Sequence, residues 1–330
     1  MNYKRFALVD IHYHLDGALS PEMIIEVAKE ENINLPSFDA VELKKYLEVP
    51  ENCQSLNEYL TKFDIPGLVL QTKNGLYKNT LDCLKRLSTQ GIKYVEIRMA
   101  PQLSTAKGLT QEEVVQAMLE ARKDAERLYC IKSNFILCMM RSNNNQKQNI
   151  ETIDVARKYL GKGVVAIDLA GAEALFENDL FKSQFEYAKK LNIPFTIHAG
   201  EAAGAESVKK AIEFGAKRIG HGVKSVEDDN VIKLLKEKNI PLEICPKSNL
   251  DTKTILKLTD LPLRQLRKSG IKVSINTDDP TVSNTTLENE YRLLNSLGFN
   301  EDELKQYTLD SIDSCFLSDK EKDELKKFIL

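Results

Sequence analysis

The chain has 330 residues, 42% of them hydrophobic and 29% charged, a composition typical of a globular protein with a large core. Its 46 Lys and Arg residues against 49 Asp and Glu give a net charge of -3, which provides no field to gather nucleic acid or an anionic membrane. We therefore expect a small-molecule partner, with neither nucleic acid nor membrane. Nothing in the sequence predicts the oligomeric state.

The N-terminal stretch has too short an apolar run for a signal peptide, and no later run approaches the length of a membrane span. The six cysteines are scattered, without the close pairs of a zinc knuckle or a redox motif. We interpret them as reduced, mostly apolar side chains. These observations predict a cytoplasmic protein.

Eight short apolar runs, each with polar residues at its carboxyl end, are the predicted strands. They span residues 6–14, 93–101, 134–141, 164–171, 193–201, 217–222, 240–246 and 272–280. Runs that are apolar on both faces are typical of parallel sheets. Helical periodicity lies between them, as in residues 110–128, and no glycine-rich dinucleotide motif follows the first run. The alternation predicts an α/β fold, a closed (β/α)₈ barrel rather than an open doubly wound sheet.

One connection is abnormal, because about eighty residues separate the first predicted strand from the second. The segment is helical in pattern, so we expect a single domain over 1–330 with a helical insertion at approximately 20–90 above the barrel mouth and further helices at the C-terminus. Within the insertion, four apolar side chains share one helical face. They are Leu56, Tyr59, Leu60 and Phe63. Taken alone, this stripe is more typical of core than of a pocket wall.

All four histidines lie at the carboxyl ends of predicted strands, which in a barrel converge on the active-site face. His12 and His14 are two residues apart in an extended segment, so both side chains point the same way. His198 in HAGE and the acidic pair in NTDDP extend this set. Three imidazoles and one carboxylate favour zinc over magnesium or calcium.

The motifs HYHLDGAL, DLAG, TIHAGE, GHG and INTDDP, in this order, resemble those of the adenosine deaminases. The resemblance runs from the first strand to the eighth and stops at about residue 285. It implies a (β/α)₈ barrel in which one zinc ion per subunit is held by four side chains and also holds a water. They are His12, His14, His198 and Asp278.

The resemblance also implies a reaction, the replacement of the amino group on carbon 6 of adenosine or 2′-deoxyadenosine by water, as in purine salvage. Zinc lowers the pKa of bound water toward about 7, which makes water nucleophilic at neutral pH. Asp278 and His221 would orient the water and accept its proton. Glu201 would protonate ring nitrogen 1 and relieve the charge that attack pushes into the ring. Without the family match, Glu201 is equally well a solvated acid at a helix start, and His221 a structural histidine.

Further residues are implied to bind the substrate. Asp279 is assigned to ring nitrogen 7, where it must be protonated or act through a donor, and the Gly171 N–H to ring nitrogen 3. Asp16 faces the ribose 5′-hydroxyl. Gly171 is otherwise a tight turn, and Asp16 a helix cap before Ser20. With the family match, the stripe of Leu56, Tyr59, Leu60 and Phe63 becomes a lid over the purine.

Three rival functions remain open at this point. An adenine deaminase would usually read HLEG where this chain reads HLDG, so Asp16 favours the nucleoside over the free base, and a modified adenosine stays open as a substrate. A catalytically inactive barrel used as a binding module would be expected to lose metal ligands or the acid. The chain lacks the Pro-Cys-x-x-Cys of cytidine-type deaminases and the fourth-strand lysine of two-metal barrels. Four residues at strand ends receive no role: Glu173, Cys245, Ser248 and Asn249.

Overall fold

The computed structural model describes residues 2–329 and has the predicted alternation of strands and helices. The strands are β1 Val9–His14, β2 Tyr94–Met99, β3 Lys132–Met140, β4 Val164–Ala170, β5 Thr196–Ala199, β6 Arg218–His221, β7 Leu242–Ile244 and β8 Val273–Ile275. Each lies within or overlaps one of the eight predicted runs, although several are shorter. The fold prediction is therefore confirmed in number, order and position of strands.

The strands are all parallel and form two four-stranded sheets, β1-β2-β3-β4 and β5-β6-β7-β8. Single bridges join the sheets at both edges, Ile167 to Phe195 and Tyr13 to Asp278. These bridges close the barrel. The second one lies beside His14, so the seam of the barrel runs through the region where the histidines meet.

Within residues 2–329, fifteen helices surround the barrel or extend from it. The first seven are α1 Pro21–Glu30, α2 Ala40–Leu47, α3 Leu56–Leu60, α4 Asp64–Val69, α5 Lys73–Gln90, α6 Gln111–Tyr129 and α7 Gln146–Tyr159. The others are α8 Lys182–Lys190, α9 Ala205–Phe214, α10 Asp229–Glu237, α11 Pro246–Asp251, α12 Leu263–Lys268, α13 Leu287–Ser296, α14 Glu301–Ser314 and α15 Asp319–Lys326.

Helix α6 shows how local sequence sets these elements. Thr110 and Glu113 form a reciprocal capping box at its start, which satisfies backbone N–H groups that have no partner in the helix. The helical periodicity predicted for residues 110–128 places Val114, Met118, Ala121 and Ala125 on one face, and all four are fully buried. Burial of such a stripe against the barrel contributes most of a helix's stability.

The long insertion after β1 is helical, as predicted, but its last helix is not part of the excursion. Helix α5 packs along α6 in the outer ring, so only α1 to α4 depart from the barrel pattern. At the other end, α14 packs against β8 and β1, and α15 follows it. One connected cluster of buried apolar side chains extends from Phe6 to Tyr307.

Two further expectations can be compared with the structure. The six cysteines are all free, and only Cys130 is exposed. Within residues 2–329, no helix combines the length and apolar character that crossing a membrane requires.

Candidate active site

The carboxyl ends of the barrel strands bring all four histidines of the chain together. His12 and His14 lie on β1, His198 on β5 and His221 on β6. The ring centroid of His12 is 4.7 Å from that of His198 and 4.8 Å from that of His221. Asp278 lies just beyond β8 and contacts the same cluster.

Four of these side chains have the geometry of a metal site. The ligand atoms of His12, His14, His198 and Asp278 all lie within 4.8 Å of one another. Asp278 Oδ1 is 3.2 Å from His12 Nε2 and 3.3 Å from His14 Nε2. The buried Nε2 of His12 finds no hydrogen-bond partner in the described chain, which is costly unless its lone pair is bound. Three nitrogens and one oxygen in this arrangement fit a metal ion.

Two buried carboxylates lie behind the histidines. Glu243 Oε2 is 2.7 Å from His12 Nδ1, and Asp168 Oδ2 is 2.9 Å from His198 Nδ1. A carboxylate at Nδ1 keeps the proton there, so the Nε2 lone pair is free for a cation. Neither carboxylate was predicted from the sequence. The available signal was an acidic residue inside an otherwise apolar strand.

These carboxylates belong to a buried ion-pair network beneath the site. Arg98 contacts Asp168 at 2.9 Å and Glu243 at 2.8 Å. Arg218 contacts Glu243 at 2.5 Å and Glu96 at 2.6 Å. Burial acts to raise the pKa of Glu243, but the charges of the two arginines outweigh it and hold that pKa well below its usual range. The network keeps ionised the carboxylates that orient the histidines.

The backbone is strained at two residues of the cluster. His221 and Asp278 have φ angles of 58° and 62°, in the left-handed region that costs a non-glycine residue roughly 1–2 kcal/mol. The Asp278 backbone is held in place by β1, because its N–H donates to His12 O at 2.9 Å and its carbonyl accepts the His14 N–H at 2.8 Å. Closure of the barrel between β1 and β8 therefore sets the direction of the Asp278 side chain.

Two glycines make room for this arrangement. A Cβ on Gly220 would lie 3.1 Å from His12 Cε1 and 3.2 Å from His198 Cα, so a side chain there would press on both histidines. A Cβ on Gly17 would overlap the carboxylate of Asp279. The glycine at the start of the GHG motif thus allows the histidines of the protein to approach one another closely.

Residues 245–249, with the sequence CPKSN, contact both His221 and Asp278. The sequence had suggested no role for this segment. Ser248 Oγ donates to Asp278 Oδ2 at 2.6 Å, and Asn249 Nδ2 lies 2.9 Å from His221 Nδ1. The orientation of the Asn249 amide is set by the Cys245 N–H, which donates to Asn249 Oδ1 at 3.2 Å. Because Nδ1 of His221 then accepts a hydrogen bond, Nε2 of the neutral ring carries the hydrogen. This Nε2 lies 3.8 Å from Asp278 Oδ2.

Glu201 lies beyond the end of β5 and is 4% exposed. Its Oε2 is 3.6 Å from His221 Nε2. Burial, followed by the negative charges of Asp278 and Glu173, raises the pKa of Glu201 to about 8. A carboxyl group with this pKa is protonated at neutral pH and can donate a proton.

Two more acidic side chains each have one buried oxygen that is left unpaired: Asp279, which is buried, and Asp16, which is half-buried. In both, Oδ1 has no hydrogen-bond partner among residues 2–329. Burial raises the pKa of Asp16 to about 6, and burial together with Asp278 and Asp16 raises the pKa of Asp279 well above its usual range. Asp16 does not cap the first helix, because the side chain of Ser20 accepts the Met23 N–H at the start of α1.

A cavity of about 310 Å³ joins these groups. Every residue predicted to bind substrate lines it: His14, Asp16, Leu56, Tyr59, Leu60, Phe63, Gly171 and Asp279. His198, Glu201, His221 and Asp278 also line it, whereas His12 lies deeper and is fully buried. Gly171 has a φ of 104°, which favours glycine.

The predicted lid is made of two short pieces rather than one helix. Leu56, Tyr59 and Leu60 lie on α3, and Phe63 ends the 3-10 turn that follows. Tyr59 is 1% exposed and its hydroxyl lies 2.8 Å from Ser283 Oγ. The other three are half-buried, so the stripe covers the cavity and is not part of the barrel core.

The parallel barrel and the histidine and carboxylate cluster at its carboxyl end define a hydrolase of the barrel class with a site able to hold a metal ion. The chain matches the family model described as Adenosine deaminase over residues 7–330, and it belongs to this family. The match continues through the C-terminal helices, beyond the point at which the motif resemblance stops. The sequence-based identification of the family is confirmed.

Relatives and solved structures agree with this assignment. The chain is 47% identical to an adenosine deaminase of Haemophilus ducreyi, over 97% of this chain and 95% of the relative. The structure of an adenine deaminase from Arthrobacter aurescens is 28% identical, with a TM-score of 0.89 and 98% of each chain covered. Arabidopsis ADAL complexed with IMP is 25% identical, with a TM-score of 0.86, and covers 100% of this chain and 98% of its own.

Proposed function

We propose that this protein is an adenosine deaminase, which hydrolyses adenosine or 2′-deoxyadenosine to inosine or deoxyinosine and ammonia. The main support is a single observation: Glu201, a buried carboxyl whose pKa is raised to about 8, lines one cavity with three of the four proposed metal ligands and with two aspartates that each have an unpaired oxygen. Water attack on a purine ring needs a nucleophile and a proton donor on the ring, and this cavity has residues for both.

We propose that His12, His14, His198 and Asp278 hold one zinc ion per chain. The free Nε2 lone pair of His12 and the three-nitrogen, one-oxygen set support zinc over the hard cations. When bound, zinc supplies a water whose pKa is lowered toward about 7.

The residues around the ion divide the remaining work. The Nε2–H of His221 donates a hydrogen bond that orients the attacking water, and Asp278 accepts the proton of that water. Two roles were predicted for His221, to orient the water and to accept its proton. The contact with Asn249 supports the first more than the second, because it leaves the hydrogen on Nε2 of His221. Glu201 donates a proton to ring nitrogen 1 as the bond at carbon 6 forms.

Substrate recognition is assigned to the rest of the cavity. Asp279 is protonated and donates to ring nitrogen 7, while the Gly171 N–H donates to ring nitrogen 3. Asp16 accepts a hydrogen bond from the ribose 5′-hydroxyl, a donor that free adenine lacks. This residue favours a nucleoside over the free base, although one similar structure is that of an adenine deaminase. The half-buried side chains of α3 and the following turn cover the purine.

The test is an ultraviolet assay of purified protein on adenosine, combined with metal analysis. We expect conversion to inosine and about one zinc per chain. Loss of adenine at a higher kcat/KM than adenosine would replace this proposal with an adenine deaminase. Absence of turnover on any purine by zinc-loaded protein would support an inactive binding module.

A further inference from the structure

Glu173 is the residue at the carboxyl end of β4 that the reaction scheme leaves without a role. Its side chain is 2% exposed and points at the loop between β5 and α9, which carries Glu201. The carboxylate accepts hydrogen bonds from four consecutive backbone N–H groups and one hydroxyl. The donors are Gly200 at 2.8 Å, Glu201 at 3.1 Å, Ala202 at 2.7 Å, Ala203 at 2.9 Å and Ser207 Oγ at 2.5 Å.

Such convergence of successive N–H groups on one anion is strong and directional. Hydrogen bonds to a carboxylate are stronger than neutral ones, and a run of backbone N–H groups forms an anion-binding concavity. Here the anion is a side chain of the protein, so the bonds fix the loop instead of binding a ligand. The backbone of Glu201 is therefore held by Glu173, in the segment after β4, and not only by its attachment to β5.

Neighbouring contacts make the two loops one unit. Arg141 donates to His198 O at 2.7 Å and to Phe176 O at 2.6 Å, which ties the end of β5 to the segment after Glu173. Asn178 Nδ2 donates to Ser207 O at 2.9 Å. The segment that bears Gly171 and Glu173 is thereby joined to the loop that bears Glu201.

We propose that Glu173 is a positioning residue that holds Glu201 at the distance and angle needed to protonate the purine ring. This role rests on the proposed function. The negative charge of Glu173 also disfavours ionisation of Glu201. Removal of the Glu173 charge should therefore lower the pKa of Glu201 as well as displace its side chain.

The experiment is a double-mutant cycle between Glu173→Gln and Glu201→Gln, measured as kcat on adenosine in zinc-loaded protein. A small displacement of a catalytic group costs on the order of 10²-fold in rate, so Glu173→Gln alone is expected to lower kcat by about 10- to 100-fold. In the Glu201→Gln background it should cost less than about 3-fold, because the group it positions is already absent. The alkaline limb of the pH profile of Glu173→Gln should move to lower pH.

The matched control is Asp310→Asn. Asp310 is also a buried carboxylate that accepts a backbone N–H, from Val273 at 3.3 Å, but it lies on α14. Its substitution should cost the same in both backgrounds and leave the pH limb in place. If Glu173→Gln fails to fold by circular dichroism, Glu173→Asp carries the same cycle with the charge retained.

The possible outcomes distinguish failure of the positioning role from failure of the proposed deaminase function. If the wild type deaminates adenosine but Glu173→Gln lowers kcat by the same factor in the wild-type and Glu201→Gln backgrounds, the positioning role is overturned and the proposed deaminase function stands. A wild type inactive on adenosine, adenine and 5′-deoxyadenosine would overturn the proposed function, and the role of Glu173 with it. The proposal is supported if the Glu173 substitution is coupled to Glu201→Gln and the Asp310 substitution is not.

Discussion

The two walls of the cavity are built in different ways. One wall consists of strand ends: His12 and His198 are buried and paired with carboxylates, and Asp278 is held by backbone bonds to β1. The other wall, α3 and the turn after it, is a small cluster of Tyr59 with Cys53 and Val282, against which Leu56 and Phe63 pack. The groups that we propose to hold a metal ion and to move protons lie on the strand-end wall, and apolar contacts with substrate are assigned to the wall formed by α3.

The comparison predicts the largest effects for the ligands of the strand-end wall. His198→Ala and Asp278→Ala should each lose bound zinc and all measurable turnover, because each substitution removes one of the four side chains that we propose to hold the ion. Metal analysis after gel filtration and the adenosine assay check this. His221→Ala, which removes the one histidine outside the set, should retain zinc. Stoichiometric zinc with normal activity in His198→Ala would contradict the ligand assignment.

The next effect concerns Glu201, on the same wall but outside the ligand set. Glu201→Gln should keep zinc while kcat falls by roughly 10²- to 10⁴-fold, the contribution of a general acid. In the wild type the protonated form is the active one, so activity should decline as pH rises through about 8, the pKa of this group. That decline should be absent from the residual activity of the variant. Retained turnover would remove the acid role, and parallel loss of zinc would make Glu201 a ligand.

A smaller effect is expected at Asp16, at the ribose end of the cavity. Leaving its buried acceptor unpaired costs about 1 to 3 kcal/mol, so 5′-deoxyadenosine should have a kcat/KM about 5- to 150-fold below that of adenosine. Adenine should be worse still, because it also lacks the ribose contacts. In Asp16→Ala the gap between the two nucleosides should narrow, since the unmet acceptor is gone. Equal kcat/KM for the two nucleosides in the wild type would contradict this role.

The smallest effect belongs to the wall formed by α3. Tyr59→Phe removes the hydroxyl that contacts Ser283 Oγ at 2.8 Å, a hydrogen bond worth about 0.5 to 1.5 kcal/mol. We expect KM for adenosine to rise by about 2- to 12-fold with zinc content and kcat unchanged. Steady-state kinetics separate these terms. A fall in kcat equal to that of Glu201→Gln would show that the two walls are not functionally distinct.

Much of the site could be read from strand-end residue types. His12 and His14, two apart on one strand, had to share a side, and barrel geometry had to bring His198 and Asp278 to the same end. The set of ligands was predicted for this reason, whereas Asp16, Gly171, Asp279 and the lid residues were implied by the family resemblance, and the helical insertion was predicted from the length and periodicity of the segment after the first strand. The structure brings the ligand set together and places the residues predicted to bind substrate around one cavity beside it. The location in the cell stays a prediction.

The sequence by itself determined the strand order, the family and the residue types that meet at the barrel mouth, because hydrophobic period and motif order are local properties. Tertiary structure alone decided which side chains support them. Glu243 and Asp168 become histidine partners, and Glu173 reaches the Glu201 loop, only because distant strands lie side by side in the closed barrel. The left-handed backbone of Asp278 is likewise held by its hydrogen bonds to His12 and His14 at the seam, which only the closed barrel supplies.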